Sequence, residues 1–157
     1  MNKYADRTQV SVAKTKLDIE TLVTKNGATA FIAGWDDERQ SHMIAFKLET
    51  LHIRYLFGRP VRRDFAKTAQ GKIRTQTQVT AAMEQAERSL WRGLLLLIQA
   101  KFVAIADGIR SIEEEFLPDV VMPNNQTFRE WASPYIKTWI AQDKIPPMLP
   151  GGTEEDR

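Results

Sequence analysis

The chain of 157 residues is 43% hydrophobic, and its 22 basic and 20 acidic side chains leave a net charge of only +2. This length suits one domain with one core, and the near balance of charge gives no whole-chain attraction to nucleic acid or to an anionic membrane. The lack of cysteine excludes disulfides, thiolate zinc sites and cysteine nucleophiles, and it is typical of a protein of the reducing cytosol.

The N-terminal segment does not have the pattern of a targeting signal. Residues 1–10 carry positive charges with no apolar stretch behind them, unlike a secretory or transit peptide. No uninterrupted apolar run exceeds the five residues at 94–98, whereas a membrane-spanning helix needs roughly 20. We therefore expect a cytoplasmic protein with no membrane partner.

The first elements predicted are a strand and a helix. Residues 8–12 alternate polar and apolar side chains in the manner of a short half-buried strand. Residues 13–25 place apolar side chains on one helical stripe, and Asn26-Gly27 supplies the left-handed residue that commonly ends a helix.

Three antiparallel strands are predicted next. Residues 29–35 lead through the acidic turn 36–38 into 42–48, and a two-residue turn returns the chain as 51–57. One face of this hairpin is almost wholly apolar, while the other is mixed and partly basic and is either open to solvent or a contact surface. The predicted cross-strand pairs are Leu48:Leu51, Phe46:Ile53, Ile44:Tyr55 and His42:Phe57.

A basic segment follows the sheet. Residues 58–71 have the composition of an unusually long loop, and the stretch 52–74 carries seven basic residues against the single acid Asp64, a net charge of +6. Residues 107–157 carry ten acids against five bases, a net charge of −5. The seven candidate nucleic-acid-binding residues are Arg54, Arg59, Arg62, Arg63, Lys67, Lys72 and Arg74.

Clustered cations on a connector repel one another unless an anion lies nearby. The acidic C-terminal part of the same chain, a nucleic-acid backbone and an acidic protein partner are three comparable sources of that anion, with the first slightly favoured.

The second half of the chain is predicted to be mainly helical. A long helix begins at Thr75 or Thr77 and extends toward residue 109, and its middle at 94–98 is expected to be buried on every side. Capping boxes at 111–114 and 127–130 open two further helices, with a small hairpin at 119–128 between them. Trp91, Trp131 and Trp139 are predicted to be core residues, in preference to stacking platforms for nucleic-acid bases.

The predicted fold class is α+β: an N-terminal βαβββ, antiparallel-rich sheet packed on a long central helix, with a small C-terminal hairpin and helix. Residues 1–150 are expected to form a single domain. The segment from 145 onwards is expected to be extended, with residues 151–157 a disordered tail.

The sequence offers little that resembles catalytic chemistry. His42, predicted to be a satisfied edge histidine, and His52 have no acidic partner at metal-ligand spacing, and there is no phosphate-binding glycine motif. The carboxylate runs 36–38 and 113–115 could hold a divalent cation. A hairpin turn for the first run and a helix N-terminus for the second explain them better. We therefore expect no catalytic residue, no metal site and no cofactor, and predict that the protein is not an enzyme.

Several stretches resemble an uncharacterised family of small bacteriophage and prophage proteins, and the similarity covers nearly the whole chain. The stretches are TQVSVAKTKLDIE, GATAFIAGWDD, EQAERSLWRGLLLLIQAKFVAIADGIRSIEEEFLPDVVMPNNQTFREW and IPPMLP. The resemblance implies a phage or prophage origin, and so a location in the host cell cytoplasm, but carries over no activity and no binding residue. Small phage proteins commonly assist replication or recombination, or blunt a host defence.

The leading functional prediction is a non-enzymatic accessory protein that binds nucleic acid through the basic residues named above. The alternative is an anti-defence interaction protein that inhibits or sequesters a host defence protein or a signalling nucleotide, in which case a homo-oligomer is possible. A hydrolase without a recognisable motif is the least favoured hypothesis.

Overall fold

The computed structural model describes residues 4–142, which form an α+β arrangement of four helices and one three-stranded antiparallel sheet. This confirms the predicted class and the long central helix. The predicted extended segment from 145 and the disordered tail at 151–157 lie outside the described residues. The elements are α1 (Val12–Lys25), β1 (Ala28–Asp36), β2 (Ser41–Leu48), β3 (Leu51–Gly58), α2 (Gln76–Ala106), α3 (Ile112–Phe116) and α4 (Phe128–Ala141), with 3-10 turns at Arg62–Phe65 and Leu117–Asp119.

The strand predicted at residues 8–12 is wrong, and the order begins αβββ rather than βαβββ. Ser11 is the N-cap of α1, and its hydroxyl accepts a hydrogen bond from the Lys14 backbone N–H at 3.1 Å. This cap satisfies a helix donor that would otherwise lack a partner, so Val12 begins the helix instead of ending a strand. The predicted end of α1 is confirmed, with Asn26 as C-cap and Gly27 at a φ of +95°.

The sheet has the order β1-β2-β3, and all four predicted cross-strand pairs between β2 and β3 are present. A two-residue turn fixes which residues lie opposite each other, and side-chain alternation then assigns every later residue to a face. Phe46 also lies opposite Phe31 of β1, so the apolar face continues across all three strands.

The core lies between this apolar face and helices α1 and α2. Ile44 and Ile53 of the sheet pack in one cluster with Ile19 of α1 and with Trp91 and Ile98 of α2. Trp91 is fully buried, as predicted, and its ring meets the ring of Phe57 edge-on at 5.1 Å. The sheet and two helices thus form a two-layer structure, the usual way for such faces to leave water.

The prediction that the middle of α2 is buried on every side is wrong. Leu94, Leu95 and Ile98 are buried, but Leu96 and Leu97 are exposed. One sheet and α1 cover only part of the circumference of α2, which leaves an apolar stripe uncovered.

By length and composition alone, α2 is also long and apolar enough to cross a membrane. Core helices of soluble proteins meet the same criterion, so the expected absence of a membrane partner stays a prediction.

The C-terminal elements follow the predicted order. Both capping boxes are formed, at Ser111 with Glu114 and at Thr127 with Glu130, and an antiparallel bridge joins Val121 to Thr127 in the small hairpin. The predicted burial of Trp131 and Trp139 is wrong, since both side chains are exposed and α4 contributes no buried residue. The apolar side of α4 exists, but no described element packs over it.

Candidate anion-binding surface

Arg54 is held by groups of the same chain. It lies on β3, and its guanidinium donates to Asn125 Oδ1 at 3.0 Å and to the Asn125 backbone carbonyl at 2.7 Å. Glu130 Oε2 lies 3.5 Å away. The side chain thereby ties β3 to the small hairpin and to the first turn of α4, a structural role that engages both terminal nitrogens of the guanidinium.

Arg59 and Arg74 are also engaged internally. Arg59 forms an ion pair with Asp37, in the turn between β1 and β2. Arg74 donates to the backbone carbonyls of Phe65 at 3.2 Å and Lys67 at 2.8 Å, which closes the segment between the sheet and α2. These two arginines therefore organise the connector rather than extend from it.

The remaining four candidates lie together on this connector, and we call residues 62–72 the basic lobe. Arg62 contacts the side-chain oxygen of Gln76, and Arg63, whose side chain is 86% exposed, has Asp64 as its only carboxylate neighbour among the described residues. Lys67 and Lys72 are exposed and flank a tight turn.

The basic lobe is more ordered than the loop predicted at 58–71. It consists of the 3-10 turn Arg62–Phe65 and a small antiparallel pairing of Lys67 with Ile73. The Thr68 N–H donates to the Lys72 carbonyl at 2.8 Å, and Gly71 takes a φ of +81° that closes the turn. Backbone hydrogen bonds and the Arg74 side chain, rather than the four cations of the lobe itself, thus maintain this shape.

The acidic C-terminal part pairs mainly with cations outside the lobe. Asp119 lies 3.5 Å from Arg129 and 3.9 Å from Lys101, and Glu115 lies 3.6 Å from Lys101. Glu130 faces Arg54, the only one of the seven candidates with a carboxylate partner from residues 107–142. The expectation that this acidic part covers the basic segment is therefore met at Arg54 alone among the described residues.

The buried side of this ionic cluster includes a tyrosine. Burial raises the pKa of Asp119 despite the two nearby cations, and burial together with the Asp119 charge raises the pKa of the Tyr55 hydroxyl. The cluster thus joins β3 to the region between α3 and α4, and Asp119 is the buried charge at its centre.

His42 is a core residue, contrary to the predicted edge position. It lies on the central strand β2, 3% exposed, with ring centroids 5.5 Å from Phe57 and 5.2 Å from Trp91. Its Nε2 atom is 2.9 Å from Glu87 Oε1 on α2, an acidic partner that no local sequence signal could reveal. Burial lowers the pKa of His42, and this effect outweighs the opposing charge of Glu87.

The two carboxylate runs have the structural roles expected of them. Asp36 accepts a hydrogen bond from the Arg39 backbone N–H at 3.0 Å within the β1–β2 turn, and Glu114 closes the capping box of α3. Within residues 4–142, no group of three or more histidine, aspartate or glutamate side chains could hold a metal ion.

No protein-family model, no curated protein and no solved structure matches the chain. The resemblance to small phage and prophage proteins therefore stays a prediction that rests on the stretches quoted above.

Proposed function

We propose that this chain is a phage or prophage accessory protein that binds nucleic acid through the basic lobe, without catalysis of its own, in support of replication or recombination. The observation that carries the proposal is the set of four neighbouring cations, Arg62, Arg63, Lys67 and Lys72, with Asp64 as the single carboxylate beside them among the described residues. Their mutual repulsion would be relieved by a polyanion such as a phosphate backbone.

Two further observations support the proposal. The described acids of the C-terminal part that lie in ion pairs face Lys101, Arg110, Arg129 and Arg54, all outside the lobe. The lobe is held by its own backbone hydrogen bonds and by Arg74, so its four cationic side chains can turn toward a ligand without loss of its fold. Lysine and arginine contacts to phosphate carry no sequence information, so we expect binding without strong sequence preference.

The test is a double charge reversal, Arg62→Glu with Arg63→Glu, measured by fluorescence anisotropy with labelled single-stranded and double-stranded DNA over a range of salt. For the wild-type protein, four phosphate contacts predict that log affinity falls with log salt at a slope of about −3 to −4. The reversed variant should bind every sequence more weakly, with a slope smaller by about 2.

The control is Lys25→Glu with Lys137→Glu, which makes the same change in net charge at exposed positions on α1 and α4. It should keep the wild-type slope, because neither lysine belongs to the basic lobe. Affinity that does not depend on salt, or an equal loss in both variants, would contradict the proposal.

One observation favours the alternative of an anti-defence interaction protein. The apolar side of α4 is uncovered by any described element and includes Trp131, Tyr135 and Trp139, residue types that anchor protein interfaces. The discriminating experiment is pull-down from host lysate with nuclease added. A host protein retained by the wild-type chain and lost on Trp139→Ala supports the alternative, whereas loss of all partners after nuclease argues against it.

A further inference from the structure

A groove of about 590 Å³ runs between the outer edge of β3 and helix α2. Its floor is one stripe of α2 that includes Leu90, Gly93 and Leu97, and a Cβ atom built on Gly93 would meet no atom within 4 Å. Phe65, at the end of the 3-10 turn, lines the side formed by the connector. The groove is therefore an open apolar channel with a strand edge as one wall.

The main chain of that edge lacks partners along the groove. The two-residue turn makes Leu48 and Leu51 a hydrogen-bonded pair, so alternate residues of β3 bond to β2, up to the Arg59 N–H that donates to the Gln40 carbonyl at 2.8 Å. Residues 52, 54, 56 and 58 therefore direct their N–H and C=O groups away from β2.

The first half of this outer edge is used and the second half is open. The His52 carbonyl accepts from the Val121 N–H at 2.8 Å, where the small hairpin meets β3. For Leu56 and Gly58, both of which line the groove, the described part of the chain supplies no main-chain partner on the outer side. An unpaired strand edge of this kind is a template for an added strand.

We propose that this groove binds an extended peptide segment of a partner protein, which adds a fourth strand beside β3 and carries acidic residues at its ends. Main-chain donors and acceptors specify an extended backbone, and the apolar floor takes every second side chain of the added segment.

Charge complementarity selects the acidic partner. Arg59 and Arg129 line the groove, and Asp64 is the single acidic residue among its described lining residues. Asp37 and Asp119, which lie outside this lining, each contact one of the two arginines. Arg62 and Arg63 adjoin the Arg59 end and add positive charge there. A second copy of this chain would bring the same arginines toward each other, which opposes pairing of two β3 edges. A nucleic-acid strand would leave the leucines of the floor and the main-chain edge without suitable partners.

The experiment uses the full chain and three synthetic fluorescent peptides measured by anisotropy. The first alternates valine and threonine between glutamate ends, the second has lysine ends instead, and the third has the composition of the first with all valines consecutive. The glutamate-ended alternating peptide should bind at least about tenfold more tightly than either of the others, a difference of about 1.4 kcal/mol.

Two variants test the floor and the edge separately. Gly93→Leu fills the open floor and replaces glycine inside a helix, which favours the fold, while Gly93→Ala is its conservative control. Leu56→Pro removes an outward N–H that β2 does not use, and Leu56→Thr keeps that donor. We expect Gly93→Leu and Leu56→Pro each to weaken binding at least about tenfold, and the two controls to stay near wild type.

Three outcomes would overturn the proposal. These are equal affinity for all three peptides, including no binding to any of them; binding that survives both Gly93→Leu and Leu56→Pro; and self-association by sedimentation velocity that Leu56→Pro abolishes, which would assign the edge to a second copy of this chain. None of these measurements involves DNA, so the result is independent of the test of the basic lobe.

Discussion

His42 shows how a buried position sets the chemistry of one side chain. It lies between two aromatic rings with Glu87 beside it, and its pKa is lowered because burial disfavours the charged imidazolium. Glu87 acts in the opposite direction, while Arg59 and Lys16 lower the pKa further. A neutral imidazole in the core is therefore the form that suits the folded state.

This environment predicts a dependence of stability on pH. In the unfolded chain the imidazole takes up its proton near pH 6.5, and in the folded chain only at lower pH. The unfolded state therefore binds more protons in that window, and the His42 contribution to the free energy of unfolding should fall as pH is lowered below about 6.5.

Denaturant unfolding between about pH 8 and pH 5 measures this contribution. His42→Gln should reduce the dependence on pH, whereas His52→Gln, at an exposed position of β3, should retain the wild-type profile. A His42→Gln profile parallel to that of the wild type would contradict the assignment.

Three helices begin with the same reciprocal hydrogen bonds. In α2 the Thr75 hydroxyl accepts from the Gln78 N–H at 3.3 Å, and Gln78 Oε1 accepts from the Thr75 N–H at 2.9 Å. Ser111 with Glu114 and Thr127 with Glu130 repeat the pattern for α3 and α4. Each box satisfies two helix donors locally, so these helices begin where the short-range sequence specifies.

The cap of α2 can be tested by two neighbouring threonines. Thr75→Ala removes the cap and should lower the free energy of unfolding by about 1 kcal/mol, whereas Thr77→Ala, within the helix, should change it by no more than a few tenths because alanine favours helix. Chemical denaturation gives both values. A greater loss at Thr77 would place the start of α2 two residues later.

In the molecule as a whole, apolar side chains are covered unevenly. The core between the sheet, α1 and α2 is closed, whereas Leu97 of α2 and Trp139 of α4 are exposed. The first turn of α4 is held through Glu130 to Arg54 and Arg129 to Asp119, but the helix contributes no buried side chain. Its opening therefore removes no buried side chain of α4 from the core.

Native-state hydrogen exchange should reveal this difference. The amides of α4 should exchange at least about tenfold faster than those of α2 around Leu94–Ile98, because α4 can open locally while the core stays closed. Equal protection of the two helices would show that α4 is covered in solution, and dilution of the sample would then test whether a second copy provides the cover.

Short-range patterns determined much of this protein from sequence alone. The β2–β3 pairs follow from a two-residue turn and strict alternation, and the helix starts follow from caps within four residues, so each depends on neighbours in the chain. The sequence also shows the cluster of seven candidate cations. It does not show that three of them, Arg54, Arg59 and Arg74, are engaged within the chain while the other four remain for a ligand.

Tertiary structure decided which faces are covered and which charges meet. Arg54 is held by Asn125, 71 residues away in sequence, and Glu87 lies beside His42 from another element, so no local pattern specifies either contact. Helical periodicity shows that Trp131 and Trp139 share a side of α4, but burial of that side requires a second surface. Whether such a surface exists depends on packing between distant parts of the chain, and within residues 4–142 it does not.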